Sequence, residues 1–254
     1  MNKIKALEII NELNNFISNP HSELNFHNNY ELIIMVILSA QTTDKRVNEI
    51  SIELFNKYNS FKSLANANYQ DVYNIILPLG LAKAKANNII ETSKIIHENY
   101  NDNIPKEEKE LLSLPGVGRK VMNVILIEAF KIPKIPVDTH VYRFSIRLGF
   151  VKENASLLES EKALMKYIPK DKWILSHHLF VLYSRYYCKS QNPSCERCPI
   201  KTYCKYKRSW ENLGPFLHLI RPQRGFFLKH DFSSYSFLFY IKYEKKGEKY
   251  DRKK

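Results

Sequence analysis

The residues with the clearest chemical potential are a lysine behind a glycine-rich turn and an aspartate a short distance further along the chain. The stretch "LPGVGRK" (114–120) ends on Lys120, and "VDTHVYR" (137–143) contains Asp138. A helix is predicted to begin near Gly118, so Lys120 would face the positive end of the helix dipole, which favours the neutral amine that a nucleophile needs. A nearby carboxylate takes the proton of such an amine or stabilises positive charge on a sugar ring. Lys120 and Asp138 are therefore predicted to be a nucleophile and its catalytic partner.

Simpler interpretations of both residues remain open from the sequence. Lys120 also fits a phosphate-binding lysine on a basic surface. Asp138, followed by Thr139 and an amphipathic stretch, also fits a helix N-cap, a position at which aspartate is common. The PGVG segment alone also fits a plain hairpin between two helices.

The glycine turn itself predicts an anion site. Gly116 and Gly118 flank Val117, although the whole chain has only seven glycines. Glycine reaches the left-handed backbone conformations that a tight helix–turn–helix connection needs. The first N–H groups of the following helix then point outward without partners, and they suit a DNA phosphate, which carries no sequence information.

Four cysteines cluster near residue 200, in "CKSQNPSCERCPIKTYC". Four thiols in so short a loop indicate a metal site, and they are Cys188, Cys195, Cys198 and Cys204. Structural zinc usually takes two close cysteine pairs, whereas only Cys195 and Cys198 form such a pair here. The spacing therefore favours a 4Fe–4S cluster and leaves zinc as the alternative.

The composition limits the partners and the compartment. A formal net charge of +13 and a pI near 9.4 are typical of proteins that bind a polyanion such as nucleic acid, although a lysine-rich proteome also gives such values. The longest apolar run, residues 32–40, is too short to cross a bilayer, and no signal peptide is recognised at residues 1–17. We therefore expect a cytoplasmic, intracellular protein without membrane association, whose cysteines do not form disulfides.

The elements that must position these residues are predicted to be helices, so the fold class is all-α. Apolar residues recur at helical spacing within 4–17, 30–40, 47–55, 86–96, 141–148 and 157–168. A short helix is predicted near 106–113 with Pro105 at its start, and the next helix is predicted to run from near Gly118 through "RKVMNVILIEAF". After Trp210 the sequence becomes aromatic and partly alternating, which is compatible with a strand pair, and a charged tail follows.

These motifs together resemble the endonuclease III family of helix-hairpin-helix DNA glycosylase/AP lyases. The resemblance covers roughly residues 1–207. It rests on "LSAQTTD" (38–44), "LPGVGRK" (114–120), "VDTHVYR" (137–143) and the four-cysteine loop (188–204), in the order and at the distances of the family.

The resemblance implies two helical domains with DNA in the cleft between them. One is a helix-hairpin-helix domain at 22–132, and the other is an iron–sulfur domain formed by 1–21 and 133–208. Residues 209–254 are an extension that the resemblance does not explain. The four cysteines would hold a 4Fe–4S cluster in the iron–sulfur domain.

The resemblance also implies roles for individual residues. Lys120 would be the Schiff-base nucleophile and Asp138 its catalytic partner. Gln41 would fill the gap left by an extruded base, and Leu81 would be wedged into the opposite strand, although Leu81 also fits an ordinary contact at a helix end. The family often has an aromatic residue after that leucine, where this chain has Ala82. The remaining implied DNA contacts are Gly116, Val117, Gly118, Arg119, His140 and Arg143.

The implied activity is base-excision repair by a monomeric enzyme on double-stranded DNA with damaged bases or abasic sites. The enzyme would remove oxidised or damaged pyrimidines and cleave the abasic strand by β-elimination. A monofunctional mismatch or adenine glycosylase of the same fold is an alternative, but such enzymes generally lack a lysine at the position of Lys120. A non-enzymatic DNA-binding iron–sulfur protein is a second alternative, and it leaves Lys120 and Asp138 unexplained.

Overall fold

A computed structural model describes residues 1–206 of the chain. These residues form eleven α-helices, two short 3₁₀ helices and no strand. The α-helices are α1 (Lys3–Phe16), α2 (Asn29–Leu38), α3 (Asp44–Lys57), α4 (Phe61–Ala65), α5 (Tyr69–Ile76), α6 (Ala82–Tyr100), α7 (Glu108–Ser113), α8 (Arg119–Phe130), α9 (Thr139–Leu148), α10 (Leu157–Tyr167) and α11 (Trp173–Tyr186). The 3₁₀ helices are Lys170–Lys172 and Lys201–Tyr203.

The all-α prediction is confirmed for the described part of the chain, and each helix predicted from apolar spacing is present. Pro105 was wrongly placed, because α7 has Glu107 as its N-cap and begins at Glu108, so Pro105 precedes the helix. The predicted strand pair after Trp210 and the extension 209–254 lie outside the described residues.

One hydrophobic core lies in the middle of the described chain. It is built around α2, whose residues from Leu32 to Leu38 are all buried, and around buried side chains of α3 to α8. Helix α2 is apolar on every side because α3, α6 and α8 all pack against it.

A second core joins the first helix to the later ones. Buried residues of α1, such as Ile9, Ile10 and Leu13, cluster with Phe144 of α9 and Phe180 of α11. The division into domains 22–132 and 1–21 with 133–208 stays a prediction.

Membrane insertion was not expected from the sequence. Within residues 1–206, no helix is long and apolar enough to cross a bilayer.

Candidate functional site

The glycine turn joins α7 to α8. Gly116 has φ = 79°, in the left-handed region where glycine is favoured, and a Cβ there would lie 3.0 Å from both Asn88 and Ile37. Gly118 differs from expectation, since its φ of −88° is open to any residue. It is the N-cap of α8, no side chain caps the helix, and no atom lies within 4 Å of a Cβ placed there. The first N–H groups of α8 therefore have no capping side chain as a partner, as an anion site requires.

Val117 and Thr92 fix this turn from the inside. The Val117 side chain is buried at 6% exposure, and its N–H donates to the carbonyl of Leu114 at 3.1 Å. The hydroxyl of Thr92 on α6 donates to the carbonyl of Pro115 at 2.8 Å. Val117 thus anchors the turn, and its N–H is already used within the protein.

Lys120 lies on the first turn of α8 and lines a cavity between α8 and α11. Val124 and Glu128 follow at four-residue spacing and line the same cavity, so one face of α8 forms its wall. Lys120 is half-buried, and its side chain forms no hydrogen bond or ion pair with any other residue of the described chain. Its amine is therefore not held by a carboxylate and stays available for a reaction.

Asp138 lines the same cavity as Lys120 and is also the N-cap of α9. Its Oδ1 accepts a hydrogen bond from the N–H of Val141 at 2.8 Å. The two interpretations left open by the sequence are thus compatible, because one carboxylate oxygen caps the helix while the residue borders the cavity of Lys120.

Arg119 faces away from this cavity and is paired within the protein. Its Nε and Nη2 donate to the two carboxylate oxygens of Glu161 on α10, at 2.9 and 2.7 Å. The carboxylate side chain is 5% exposed and that of Arg119 is 51% exposed. The predicted DNA contact of Arg119 is untested, and the pairing with Glu161 gives it a structural role as well.

Two buried histidines of α11, which the sequence did not single out, complete the cavity beside Lys120. His177 Nδ1 lies 3.0 Å from the carbonyl of Pro136, which can only accept, so Nδ1 carries the proton. Burial, with the neighbouring charges of His178 and Lys120, holds the pKa of His177 well below its usual range. His177 is therefore neutral and adds no second cation next to the amine.

His178 and Glu128 form a polar pair in the same cavity. His178 Nε2 lies 3.4 Å from Glu128 Oε1, and both side chains are nearly buried. Burial lowers the pKa of His178 to about 4, assisted by the charges of Lys131 and His21. Burial also raises the pKa of Glu128, although the same two cations act in the opposite direction.

A second, more open groove adjoins the first cavity and contains Gln41 and His140. Gln41 is exposed with φ = 54°, an uncommon value for a residue other than glycine. Arg143 donates to Nδ1 of His140 at 3.3 Å, so the proton of the neutral ring is on Nε2. Burial lowers the pKa of His140, so it stays neutral at physiological pH.

Arg185 separates the two cavities and lines both, together with Glu23 and Asp44. Its Nη1 pairs with Asp44 Oδ2 at 2.7 Å and also with Glu23. Since Arg185 is on α11 while Asp44 begins α3, this ion-pair cluster connects elements of the two hydrophobic cores.

Leu81 is the N-cap residue of α6 and has φ = 62° with 57% of its surface exposed. A large apolar side chain in this conformation and exposure is unusual in a folded protein. Its place at the N-cap of α6 leaves the alternative of an ordinary contact at a helix end open. The role of Leu81 toward DNA stays a prediction.

Arg143 and Arg147 of α9 hold the start of the cysteine loop. Arg143 donates to the carbonyl of Ser184 at 2.9 Å and to that of Cys188 at 3.3 Å. Arg147 is 7% exposed and donates to Cys188 Sγ at 3.1 Å and to the carbonyl of Lys189 at 2.8 Å. Arg143, predicted as a DNA contact, thus connects α9 to this loop.

The four cysteines are free thiols, each partly buried, and their chemistry fits a metal cluster. Burial raises the pKa of Cys188, while the hydrogen bond from Arg147 acts in the opposite direction. The Arg147 donor suits a sulfur that carries negative charge. Across residues 1–206, no group of three or more His, Cys, Asp or Glu is arranged to hold a single metal ion.

Sequence reasoning did not assign several residues of the site. Glu128 could have been identified from the sequence, because it lies eight residues after Lys120 on a helix whose start was predicted. Asp44 is the last residue of the motif "LSAQTTD" (38–44), but no role was predicted for it. No local sequence pattern indicates four further residues of the cavity, which are Glu23, His177, His178 and Arg185.

Comparisons with known proteins identify the family of the chain. A family model described as "HhH-GPD superfamily base excision DNA repair protein" matches residues 34–170. The chain is 39% identical to Endonuclease III of Bacillus subtilis (strain 168) over 215 residues, which cover 84% of this chain and 98% of that protein. It is also 39% identical to Endonuclease III of Escherichia coli (strain K12) over 207 residues, covering 82% and 98%.

Solved structures give the same result. A trapped endonuclease III–DNA covalent intermediate superposes with a TM-score of 0.80 at 39% identity, covering 83% of this chain and 99% of that one. A thermostable thymine-DNA glycosylase at 22% identity, with a TM-score of 0.71, shares the fold. The chain therefore belongs to the HhH-GPD superfamily of base excision DNA repair proteins and, within it, to the endonuclease III family.

Proposed function

We propose that Lys120 and Asp138 carry out the glycosylase and lyase chemistry that membership of the endonuclease III family assigns to this chain. The enzyme acts in base-excision repair on double-stranded DNA with damaged pyrimidines or abasic sites. The observation that carries the proposal is the unpaired amine of Lys120 at the start of α8, in a cavity that Asp138 also lines.

In the first step the Lys120 amine attacks C1′ of a damaged nucleotide that has left the base stack. Extrusion costs a few kcal/mol and is least costly for a damaged base. A bond forms between Nζ and C1′ while the C1′–base bond breaks, and the departing base takes up a proton. The attack uses the lone pair of the free amine, and no carboxylate of the described chain is paired with Lys120.

The Asp138 carboxylate then interacts with the positive charge that develops on the lysine and the sugar. A carboxylate at the cavity wall accepts the proton that the lysine loses, and it stabilises positive charge on the ring. Ring opening gives an imine between Lys120 and C1′. Loss of a C2′ proton then expels the 3′ phosphate and cleaves the strand by β-elimination.

The surrounding turns bind and open the duplex in this proposal. The free N–H groups behind Gly118 receive a backbone phosphate. Gln41 fills the gap left by the extruded base, and Leu81 enters the opposite strand. The exposure of both side chains in left-handed turns supports these roles.

Cys188, Cys195, Cys198 and Cys204 hold a 4Fe–4S cluster in this proposal. The cluster, when bound, supplies covalent cross-links that keep the 188–204 loop folded. Arg147 supports its position through the hydrogen bond to Cys188 Sγ. The two-domain division, with this loop in the second domain, is part of the same proposal.

The cluster assignment is tested by metal analysis of the purified protein. About four irons per chain with broad absorption in the visible blue are expected. Cys198→Ser should lower the iron content and the thermal stability, whereas Ser190→Ala in the same loop should change neither. One zinc per chain in a colourless protein would decide for the alternative.

The activity is tested with duplexes that each carry one oxidised or ring-reduced pyrimidine. Such lesions should be excised with strand cleavage on their 3′ side, while an undamaged duplex stays intact. Accumulation of uncleaved abasic strands would instead indicate a monofunctional glycosylase. No reaction on any lesion, with DNA binding retained, would favour the non-enzymatic alternative.

A further inference from the structure

Lys85 is a buried lysine that the chemistry above does not use. It lies in the first turn of α6 at 3% exposure. Its Nζ donates to Thr42 Oγ1 at 2.6 Å, across 43 positions of sequence. Burial lowers the pKa of Lys85, and no ion pair with a carboxylate compensates for its burial within residues 1–206. A lysine is rarely this buried without an ion pair, so the burial of Lys85 calls for an explanation.

The two ends of this hydrogen bond lie next to the two unusual turns of the site. Thr42 directly follows Gln41, and Lys85 follows Leu81 by one helical turn. Both Gln41 and Leu81 have left-handed backbones, with φ of 54° and 62°, and both point an exposed side chain outward. Strained conformations of this kind persist only where the surrounding structure holds them.

Lys85 contacts both turns. Its backbone N–H donates to the carbonyl of Leu81 at 3.0 Å, which closes the first turn of α6 behind that residue. Its side chain reaches Thr42 and so fixes the other turn. The turns are neighbours, because a Cβ on Gly80 would lie 4.0 Å from the carbonyl oxygen of Gln41.

A direct role of Lys85 on DNA does not fit its burial. At 3% exposure the side chain has almost no surface for a phosphate, and its hydrogen bond points inward to Thr42. Lys83, two residues earlier, is exposed and shows where a phosphate-binding lysine of α6 would lie.

We propose that Lys85 is a positioning residue that sets the spacing between Gln41 and Leu81, so that both side chains enter a damaged duplex together. This inference rests on the proposed roles of those two residues. Without the Lys85–Thr42 hydrogen bond the turns separate or relax, and the duplex is opened less often, while the Lys120 site stays intact.

The test uses the full-length protein with two variants that break the hydrogen bond from either side. Lys85→Met keeps the length of the side chain and removes its charge and donor. Thr42→Val removes the acceptor, and Thr42→Ser restores a hydroxyl as the conservative variant. Lys94→Met, at an exposed position of the same helix, is the matched control for loss of one positive charge.

Three measurements separate positioning from chemistry. The first is kcat and KM for excision of a ring-reduced pyrimidine from a duplex. The second is the fluorescence of 2-aminopurine opposite the lesion, which rises when that base is unstacked. The third is borohydride trapping on single-stranded abasic DNA, which has no opposite strand to open.

Lys85→Met and Thr42→Val should each lower kcat on the duplex by about 10- to 100-fold and reduce the 2-aminopurine signal. Trapping on single-stranded DNA and the melting temperature should stay near those of the unmodified protein. Thr42→Ser should recover most of the duplex activity. In a Leu81→Ala background, Lys85→Met should add little, because the side chain that it positions is already absent.

The proposal is overturned if duplex excision is unchanged in both variants, or if trapping on single-stranded DNA falls as much as excision. Full additivity with Leu81→Ala would also overturn it. If Lys85→Met does not fold, the measurements on Thr42→Val alone decide whether the hydrogen bond positions the two turns. If instead Leu81→Ala and Gln41→Ala themselves leave excision unchanged, the roles proposed for those residues fail, which is a separate result.

Discussion

Asp138 accepts a hydrogen bond from the N–H of Val141 at 2.8 Å while it lines the cavity of Lys120. The same carboxylate thus begins α9 and faces the site. This double position explains why the sequence pattern alone left two interpretations open. The two contributions separate experimentally, because an amide caps a helix as well as a carboxylate does.

Asp138→Asn should keep the helix cap and lose the charge. We expect unchanged thermal stability and base release slowed by 10²-fold or more, on the order of the contribution of a general base. Asp138→Ala should slow base release similarly and also cost about 1 kcal/mol of folding free energy through loss of the cap. Melting curves and single-turnover excision rates check both. Full activity of Asp138→Asn would reduce the residue to a helix cap.

Arg119 should contribute to stability through Glu161. Removing the guanidinium in Arg119→Ala leaves a buried carboxylate unpaired, so the free energy of unfolding should fall by about 1–3 kcal/mol. The control is Arg46→Ala, which breaks the exposed pair with Glu49 and should change it by less than about 1 kcal/mol. Denaturant unfolding of the DNA-free proteins measures both. Equal small losses would show that the Glu161 pair is no stronger than a surface pair.

The extent to which the sequence predicted this structure depends on the range of the interactions involved. The start of α8 and the cap of α9 follow from neighbouring residues, and both were predicted. Helix α11 was missed because it is apolar on most sides, which hides a helical period. The bonds Arg119–Glu161 and Lys85–Thr42 join residues more than 40 positions apart, and no local pattern indicates them.

Acid should destabilise the protein through His178. Its folded pKa is about 4, whereas an unfolded histidine titrates near 6.5. Between these values only the unfolded chain binds the proton, so stability is lost as pH falls from about 6.5 toward 4, by up to about 1.4 kcal/mol per pH unit. The raised pKa of Glu128 acts in the opposite direction and offsets part of this loss.

The histidine contribution is isolated by comparing unfolding free energies at pH 7.5, 6.5 and 5.5. His178→Gln should show a smaller loss on acidification than the unmodified protein. An identical pH slope in His178→Gln would contradict a buried neutral histidine.

The amine of Lys120 should form the covalent bond to DNA, and borohydride trapping on a duplex abasic site detects that bond. The unmodified protein and the control Lys94→Gln, at an exposed position of α6, should become covalently attached to the DNA strand. Lys120→Gln should give no trapped product and no strand cleavage while it still binds the duplex. Trapping of Lys120→Gln at the rate of the unmodified protein would show that another residue forms the covalent bond.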